Sequence, residues 1–191
     1  MYFSRIVRKI KKERSQLRVL VLGLDNAGKT TVLHKLLGKA IEHVQPTFGY
    51  QIYDVTYKTL SLIILDVGGQ SMFVEYWSSY YEDVDGVVFV FDSSDRRSFI
   101  EHVGHIKSTL VDTPMLILAN KSDLNPTFDP RSFGNDFCEF LEKNDVKLSK
   151  CCGLSGDGLE EGFDWMIGRA MKGLMVDEEE EKKMEQEKIF G

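Results

Sequence analysis

The chain has 191 residues, a formal net charge of −6 and 42% apolar residues. These values predict one domain with a full hydrophobic core, and they exclude a wholly disordered chain and a chain with two full-sized domains. No apolar run reaches the roughly 20 residues that a transmembrane helix needs, and three cysteines, two of them adjacent, favour a cytoplasmic protein over a disulfide scaffold.

The charge is distributed unevenly along the chain. Residues 1–18 contain seven basic residues and one acidic residue, a net charge of +6. Apolar residues recur in this segment at the spacing of a helix, at Tyr2, Phe3, Ile6, Val7 and Ile10. We therefore expect an amphipathic N-terminal helix over residues 1–16, a globular domain over 17–175 and a charged, helical C-terminal tail over 176–191.

Strand and helix patterns alternate through the predicted domain. Short, nearly continuous apolar runs predict buried strands over residues 18–23, 86–92, 114–120 and 146–151. Residues 50–57 and 59–66 predict an antiparallel pair of strands joined at Lys58. Helical spacing covers residues 29–37, 97–110, 130–141 and 159–175. The pattern indicates an α/β fold with a six-stranded, mostly parallel sheet, one antiparallel edge strand and helices on both faces, which binds ligands at the carboxyl ends of its strands.

A phosphate-binding motif follows the first predicted strand. Gly23-Leu-Asp-Asn-Ala-Gly-Lys-Thr30 matches the phosphate-loop pattern and lies between a predicted strand and a predicted helix. Backbone amides of such a loop face phosphate oxygens, the lysine adds a positive charge, and the threonine hydroxyl can bind Mg²⁺. The predicted phosphate-binding residues are Gly23, Asp25, Asn26, Ala27, Gly28, Lys29, Thr30 and Thr31.

A second motif indicates which base is bound. Asn120-Lys-Ser-Asp123 ends the fifth predicted strand. The Asp123 carboxylate can accept two hydrogen bonds from the N1–H and exocyclic amine of guanine, whereas adenine would leave a buried carboxylate unpaired. Lys121 can lay its aliphatic chain along the base, and Asn120 can hold the neighbouring loops. This motif predicts a guanine nucleotide.

A third group of residues indicates hydrolysis. Asp66-Val-Gly-Gly-Gln70 ends the third predicted strand. Asp66 can hold Mg²⁺ through its water shell, the Gly69 amide can donate to a γ-phosphate, and Gln70 can orient an attacking water. Thr47 precedes the second strand and can supply a second oxygen to Mg²⁺ beside Thr30. We therefore predict Thr30 and Thr47 as metal ligands and Gln70 as the catalytic residue.

The combined motifs resemble the Ras-like small GTPase superfamily, and most closely its ADP-ribosylation-factor-like branch. The resemblance covers residues 3–172 and implies a P-loop NTPase with the small GTPase fold. Residues 11–18 resemble the Arf-like subgroup that binds tubulin-folding cofactor D and lipid-carrier proteins. The motifs that carry the resemblance are Leu22-Gly-Leu-Asp-Asn-Ala-Gly-Lys-Thr-Thr31, Pro46-Thr-Phe-Gly49, Asp66-Val-Gly-Gly-Gln70, Tyr76-Trp77, Tyr80-Tyr81, Asp92-Ser-Ser-Asp-Arg96 and Asn120-Lys-Ser-Asp123.

This resemblance implies a monomeric GTP/GDP switch that works with effector proteins, an exchange factor and a GTPase-activating protein. In the family, GTP reorders the segments around Thr47 and Gln70, the hairpin over residues 50–66 slides, and the N-terminal helix is expelled. Cys152-Gly153 aligns with the family's Ser-Ala pair, whose backbone amide contacts guanine. Asp25 would crowd the route of an arginine finger, and no arginine of the chain has an evident claim to that role. We therefore expect slow hydrolysis that depends on an activating protein.

The sequence departs from the family at Tyr2. Myristoylated members have glycine there, so we expect no myristoylation and at most weak, reversible membrane contact through residues 2–12. Nucleic acid is not an expected partner. Cellular roles in tubulin folding, lipidated-cargo release or membrane traffic remain open, with a cytoplasmic location or a peripheral one at membranes or microtubules. The remaining alternatives are a non-hydrolysing nucleotide-dependent interaction protein and a P-loop kinase.

Overall fold

The computed structural model of the chain describes residues 16–95 and 97–190, and side chains as far as residue 174. The predicted N-terminal helix lies outside the described residues. The strands are β1 (Gln16–Leu22), β2 (Tyr50–Tyr57), β3 (Leu60–Val67), β4 (Gly86–Asp92), β5 (Met115–Asn120) and β6 (Val146–Lys150). The α-helices are α1 (Lys29–Leu36), α2 (Ser71–Val74), α3 (Ile100–Thr109), α4 (Asn135–Lys143) and α5 (Leu159–Phe190), and 3₁₀ turns cover Trp77–Tyr80 and Pro130–Phe133.

The six strands form one sheet in the order β2-β3-β1-β4-β5-β6. Only β2 is antiparallel to its neighbour, and every other pair is parallel. Val21 pairs with Asp66, and Asp92 pairs with Asn120. The carboxyl ends of β1, β3, β4 and β5 therefore meet at one edge of the sheet, and the predicted fold class is confirmed.

Two hydrophobic clusters hold the sheet between its helices. Alternate residues of β1 point to opposite faces, so Val19 and Val21 join one cluster while Leu20 and Leu22 join the other. The first cluster includes buried residues of α1 and α5, and the second includes buried residues of α3 and α4. The motifs at the strand ends are thus braced by packing on both faces of the sheet.

Three helices differ from their predicted bounds. Helix α3 begins at Ile100 instead of residue 97, because the Asp95 carboxylate accepts the Arg97 amide and forms a turn there. The predicted helix over 130–141 is interrupted at Gly134, whose φ of 94° is not helical. Helix α5 joins the predicted helix over 159–175 and the predicted helical tail without a break, since the Glu-, Lys- and Met-rich tail has high helix propensity. No helix within the described residues is long and apolar enough to cross a membrane.

Candidate nucleotide-binding site

Residues 23–28 form the loop between β1 and α1, at the carboxyl edge of the sheet. Gly23 has a φ of +144°, and a Cβ atom there would lie 1.9 Å from the carbonyl oxygen of Val90 in β4. Only glycine fits this close approach. The loop is therefore fixed against the sheet, and its last residue leads directly into the first turn of α1, where free amides can bind an anion.

The lysine of the loop is buried and folds back over it. The Lys29 ammonium donates to the carbonyl oxygens of Gly23 at 2.9 Å and Leu24 at 3.0 Å. Burial lowers the pKa of Lys29, while the nearby carboxylates of Asp66 and Asp25 act in the opposite direction. The side chain thus spans the loop and places its charge at the centre of the predicted phosphate site.

Three oxygen-bearing side chains from distant segments meet below the loop. The Thr30 and Thr47 hydroxyls lie 2.8 Å apart, and Thr30 donates to Asp66 Oδ2 at 2.6 Å. The Thr47 hydroxyl also faces this Asp66 oxygen, at 3.4 Å. Asp66 Oδ1 is buried with no hydrogen-bond partner among the described residues. Burial raises the pKa of Asp66, and the bond from Thr30 and the charge of Lys29 oppose this rise.

A cavity of about 320 Å³ opens above these groups. It joins the phosphate loop to the segments around Thr47 and Gln70, which sequence analysis predicts to face a γ-phosphate. Gly69 packs so tightly on the loop that a Cβ atom would lie 2.2 Å from the carbonyl oxygen of Gly23. The lining residues are Asp25, Asn26, Gly28, Lys29, Thr30, Thr31, Val44, Gln45, Pro46, Thr47, Gly69 and Gln70. Sequence analysis did not assign Val44, Gln45 and Pro46 to the site; of the three, only Pro46 belongs to a motif, the one that carries Thr47.

The predicted base-binding residues lie outside this cavity but are tied to it. Buried Asn120 donates to the carbonyl oxygen of Ala27 at 2.8 Å and accepts the Gly153 amide at 2.9 Å. It therefore joins the phosphate loop to the loop after β6. The Cys152 thiol lies 3.3 Å from Asp123 Oδ1. The structure thus brings both halves of the predicted site to one edge of the sheet.

Two side chains around the site form ion pairs. Lys121 has a positive φ of 59° and pairs with Asp92 at 2.8 Å, which fixes it at the end of β4. Arg97 reaches the phosphate loop and pairs with Asp25. Sequence analysis found no sign of Arg97 at this site, because the contact joins residues 72 positions apart.

A parallel sheet with a glycine loop at its carboxyl edge, a buried lysine and a Thr-Thr-Asp oxygen cluster defines a phosphate-loop nucleotide-binding protein. A sequence model of the ADP-ribosylation factor family matches residues 3–170. The chain belongs to this family of small GTPases, which bind GTP and GDP, hydrolyse GTP and interact with effectors, exchange factors and activating proteins.

Named relatives agree with this assignment. The chain is 38% identical to ADP-ribosylation factor-like protein 2 of Arabidopsis thaliana over 169 residues, which cover 85% of this chain and 91% of the relative. The protein of the same name in Dictyostelium discoideum is also 38% identical, over 168 residues and with the same coverage. Among solved structures, the Arl6 BBS3 small GTPase from Trypanosoma brucei with a bound nucleotide analogue, GppNp, matches with a TM-score of 0.66 and 27% identity. That match covers 82% of this chain and 98% of the other.

Proposed function

We propose that the protein is a Mg²⁺-dependent switch that binds effectors in its GTP state and hydrolyses GTP slowly. The contact between Thr30 and Thr47 carries this proposal. Thr30 lies in the first turn of α1 beside the phosphate loop, whereas Thr47 belongs to the connection between α1 and β2. A bound nucleotide and ion that contact both hydroxyls would hold the connection between α1 and β2 against the phosphate loop. A nucleotide and ion that contact only the Thr30 hydroxyl would leave this connection unattached.

The oxygen cluster fits Mg²⁺. Neighbouring ligands of an octahedral Mg²⁺ at about 2.0–2.1 Å lie roughly 2.9 Å apart, close to the 2.8 Å between the two hydroxyls. Asp66 Oδ1, which has no hydrogen-bond partner among the described residues, is an acceptor that a metal-bound water can satisfy. Thr30 and Thr47 would hold the ion, with Asp66 behind them. When bound, Mg²⁺ would neutralise charge on the terminal phosphates.

The remaining residues divide the work of hydrolysis. Lys29 and the loop amides hold the phosphates, and the Gly69 amide is positioned to donate to the terminal one. Gln70 lines the same cavity and orients the attacking water. The Arg97 guanidinium pairs with Asp25 and is not among the residues that line the cavity. Efficient hydrolysis therefore needs a positive group from an activating protein, an effect on the order of 10³ to 10⁵ in rate.

Nucleotide competition tests the base and the reaction class. Excess GTP, but not excess ATP, should displace labelled GTP from the wild-type protein. Equal displacement by ATP would favour a P-loop kinase. Single-turnover hydrolysis should be slower in Gln70→Leu than in wild type, with the larger gap in the presence of an activating protein. Identical rates in both proteins under all conditions would favour a non-hydrolysing binder.

An exposed apolar surface next to the cavity suits effector binding. Phe48 contacts Phe73 with ring centroids 5.2 Å apart, and Tyr50 contacts Tyr80 at 5.6 Å. Phe48 is 79% exposed, and other large apolar side chains on the same segments are also exposed. Such patches favour protein partners. These exposed residues are Phe48, Tyr50, Ile52, Met72 and Tyr76.

We infer that the effector is a tubulin-folding cofactor or a lipid-carrier protein, and that the protein acts in the cytoplasm or peripherally at microtubules or membranes. Two observations support this: the relatives named ADP-ribosylation factor-like protein 2 and the charged segment over residues 11–18. A pull-down with GTP-loaded and GDP-loaded protein should capture the cofactor or carrier in the GTP state only. Ile52→Asp should abolish capture, whereas Val111→Asp, on an equally exposed residue elsewhere, should not. Nucleotide-dependent binding to anionic vesicles without cofactor capture would favour a membrane-traffic role.

A further inference from the structure

Arg97 binds the phosphate loop from outside the cavity. Arg97 Nη1 donates to the Asp25 carboxylate at 2.5 Å, and Nη2 donates to the Asp25 backbone carbonyl at 3.0 Å. A single guanidinium therefore fixes both the side chain and the main chain of one loop residue. This use of the planar fork is specific to arginine, because a lysine ammonium is a point charge on a flexible chain.

Arg97 is oriented for this contact before it reaches the loop. Its backbone amide donates to Asp95 Oδ1 at 2.9 Å, and its Nε donates to Asp95 Oδ2 at 2.7 Å. The bonds to Asp95 and Asp25 raise the pKa of Arg97, which stays charged at all relevant pH values. Asp95 Oδ2 also lies 2.6 Å from Nη2, so Asp95 holds one edge of the guanidinium and Nη1 is directed to the phosphate loop.

Arg131 makes the same local contacts as Arg97, with an aspartate two residues before it in the chain. Arg131 binds Asp129 through its backbone amide and its Nε, with the same two-residue spacing. Its Nη2 lies 2.8 Å from Asp129, as the Nη2 of Arg97 lies 2.6 Å from Asp95, and its side chain is 84% exposed. Among the described residues, Arg131 bonds to no other segment. The contact with Asp25 is therefore not a consequence of the local Asp-x-Arg turn, and it distinguishes Arg97 from Arg131.

The contact between Arg97 and Asp25 lies at the end of the cavity assigned to the third phosphate. Asp25 lines this cavity together with Thr47, Gly69 and Gln70. A free carboxylate there would repel a nucleoside triphosphate more strongly than a diphosphate, because only the triphosphate carries the nearest phosphoryl group. Arg97 and Asp25 are each about half exposed, at 49% and 52%, so their pairing contributes little to global stability. The main effect of the pairing is therefore on the charge and position of Asp25 in the cavity.

We propose that Arg97 is a positioning residue that neutralises and holds Asp25, and thereby raises the affinity of the site for GTP relative to GDP. The proposal rests on the proposed function and adds to it the control of the GTP:GDP preference. Arg97 contacts the loop and not the reacting atoms, so its effect reaches the nucleotide through Asp25.

Dissociation rates of fluorescent GDP and of a fluorescent, non-hydrolysable GTP analogue test this proposal in the full-length protein. In Arg97→Ala, the GTP analogue should dissociate about tenfold faster, while GDP should change less than about threefold. Arg97→Lys should fall between wild type and Arg97→Ala. Arg131→Ala is the matched control and should leave both rates unchanged.

A double variant separates the charge effect from general damage. In Asp25→Asn the repelling carboxylate is gone, so adding Arg97→Ala to it should change the ratio of the two dissociation rates by less than about twofold. If Arg97→Ala changes the ratio of the two dissociation rates as much in Asp25→Asn as it does in wild type, the proposal is overturned. An equal rise of both rates in Arg97→Ala, or no rise, would also overturn it.

Hydrolysis provides the last discriminating measurement. A fall of about 100-fold or more in single-turnover hydrolysis by Arg97→Ala, with an unchanged ratio of dissociation rates, would identify Arg97 as an internal arginine finger and overturn the positioning role. Displacement of labelled GTP by ATP in wild type would instead refute the proposed function. The two failures are therefore distinguishable.

Discussion

Replacing Asn120 by alanine tests whether one side chain holds the two halves of the site together. Asn120 is 3% exposed and bonds to the Ala27 carbonyl oxygen and the Gly153 amide. Asn120→Ala leaves both buried backbone groups unpaired, at a cost of roughly 1–3 kcal/mol each. A water molecule can enter the space and recover part of this loss. We therefore expect the free energy of unfolding to fall by about 3 kcal/mol.

Urea unfolding of the nucleotide-free protein measures this loss directly. Nucleotide must be removed, because a ligand bound only to the folded state adds its own stabilisation and would conceal the effect of the bonds. Asn125→Ala is the matched control, since Asn125 makes one partly buried bond, to the Ser93 carbonyl oxygen at 2.7 Å. It should cost about 1 kcal/mol. Equal urea midpoints for the two variants, with unchanged m-values, would refute the reasoning.

Three further predictions concern stability. Gly23→Ala places a methyl group 1.9 Å from the carbonyl oxygen of Val90 and should abolish soluble folded protein, whereas Gly104→Ala, with no atom within 4 Å, should raise the free energy of unfolding by about 0.5–1 kcal/mol. Lys107→Met leaves two carbonyl oxygens of the α3–β5 connection without their ammonium donor, and should lower the urea-derived free energy of unfolding by about 1–3 kcal/mol. Burial raises the pKa of the Cys151 thiol to about 12. The folded state therefore keeps this proton longer than the unfolded state, so stability should fall between about pH 9 and pH 12, with a shallower fall in Cys151→Ala.

The sequence was sufficient to predict the centre of the sheet because strands β4 and β5 are buried on both faces. Such strands appear as unbroken apolar runs that end in a polar residue, and β4 has the predicted bounds at both ends. The phosphate loop was also predictable, because all the residues of its motif lie within eight consecutive positions, from Gly23 to Thr30. The antiparallel pair was predictable because two strand patterns flank a very short connection at Lys58, and the structure shows that Lys58 closes this turn with a positive φ of 55°.

The remaining features depend on contacts between distant residues. The bond from Arg97 to Asp25 joins positions 72 apart, and no local periodicity records it. The start of α3 was misplaced for the same reason, since the Asp95 turn competes with the helix for the Arg97 amide. The Asn120 bonds were anticipated only as an ability to hold neighbouring loops, because their partners lie 93 and 33 residues away.

The pairing of β3 with β1 restricts the positions that the hairpin could adopt. Side chains alternate between faces with a period of two, so a slide of β2 and β3 by one residue would turn Leu62 and Ile64 away from their cluster. The smallest slide that preserves the core is two residues, roughly 6.6 Å. The hydroxyl contact between Thr30 and Thr47 cannot stretch over such a step. A slide of the hairpin would therefore proceed in steps of two residues and not through a continuous range of positions.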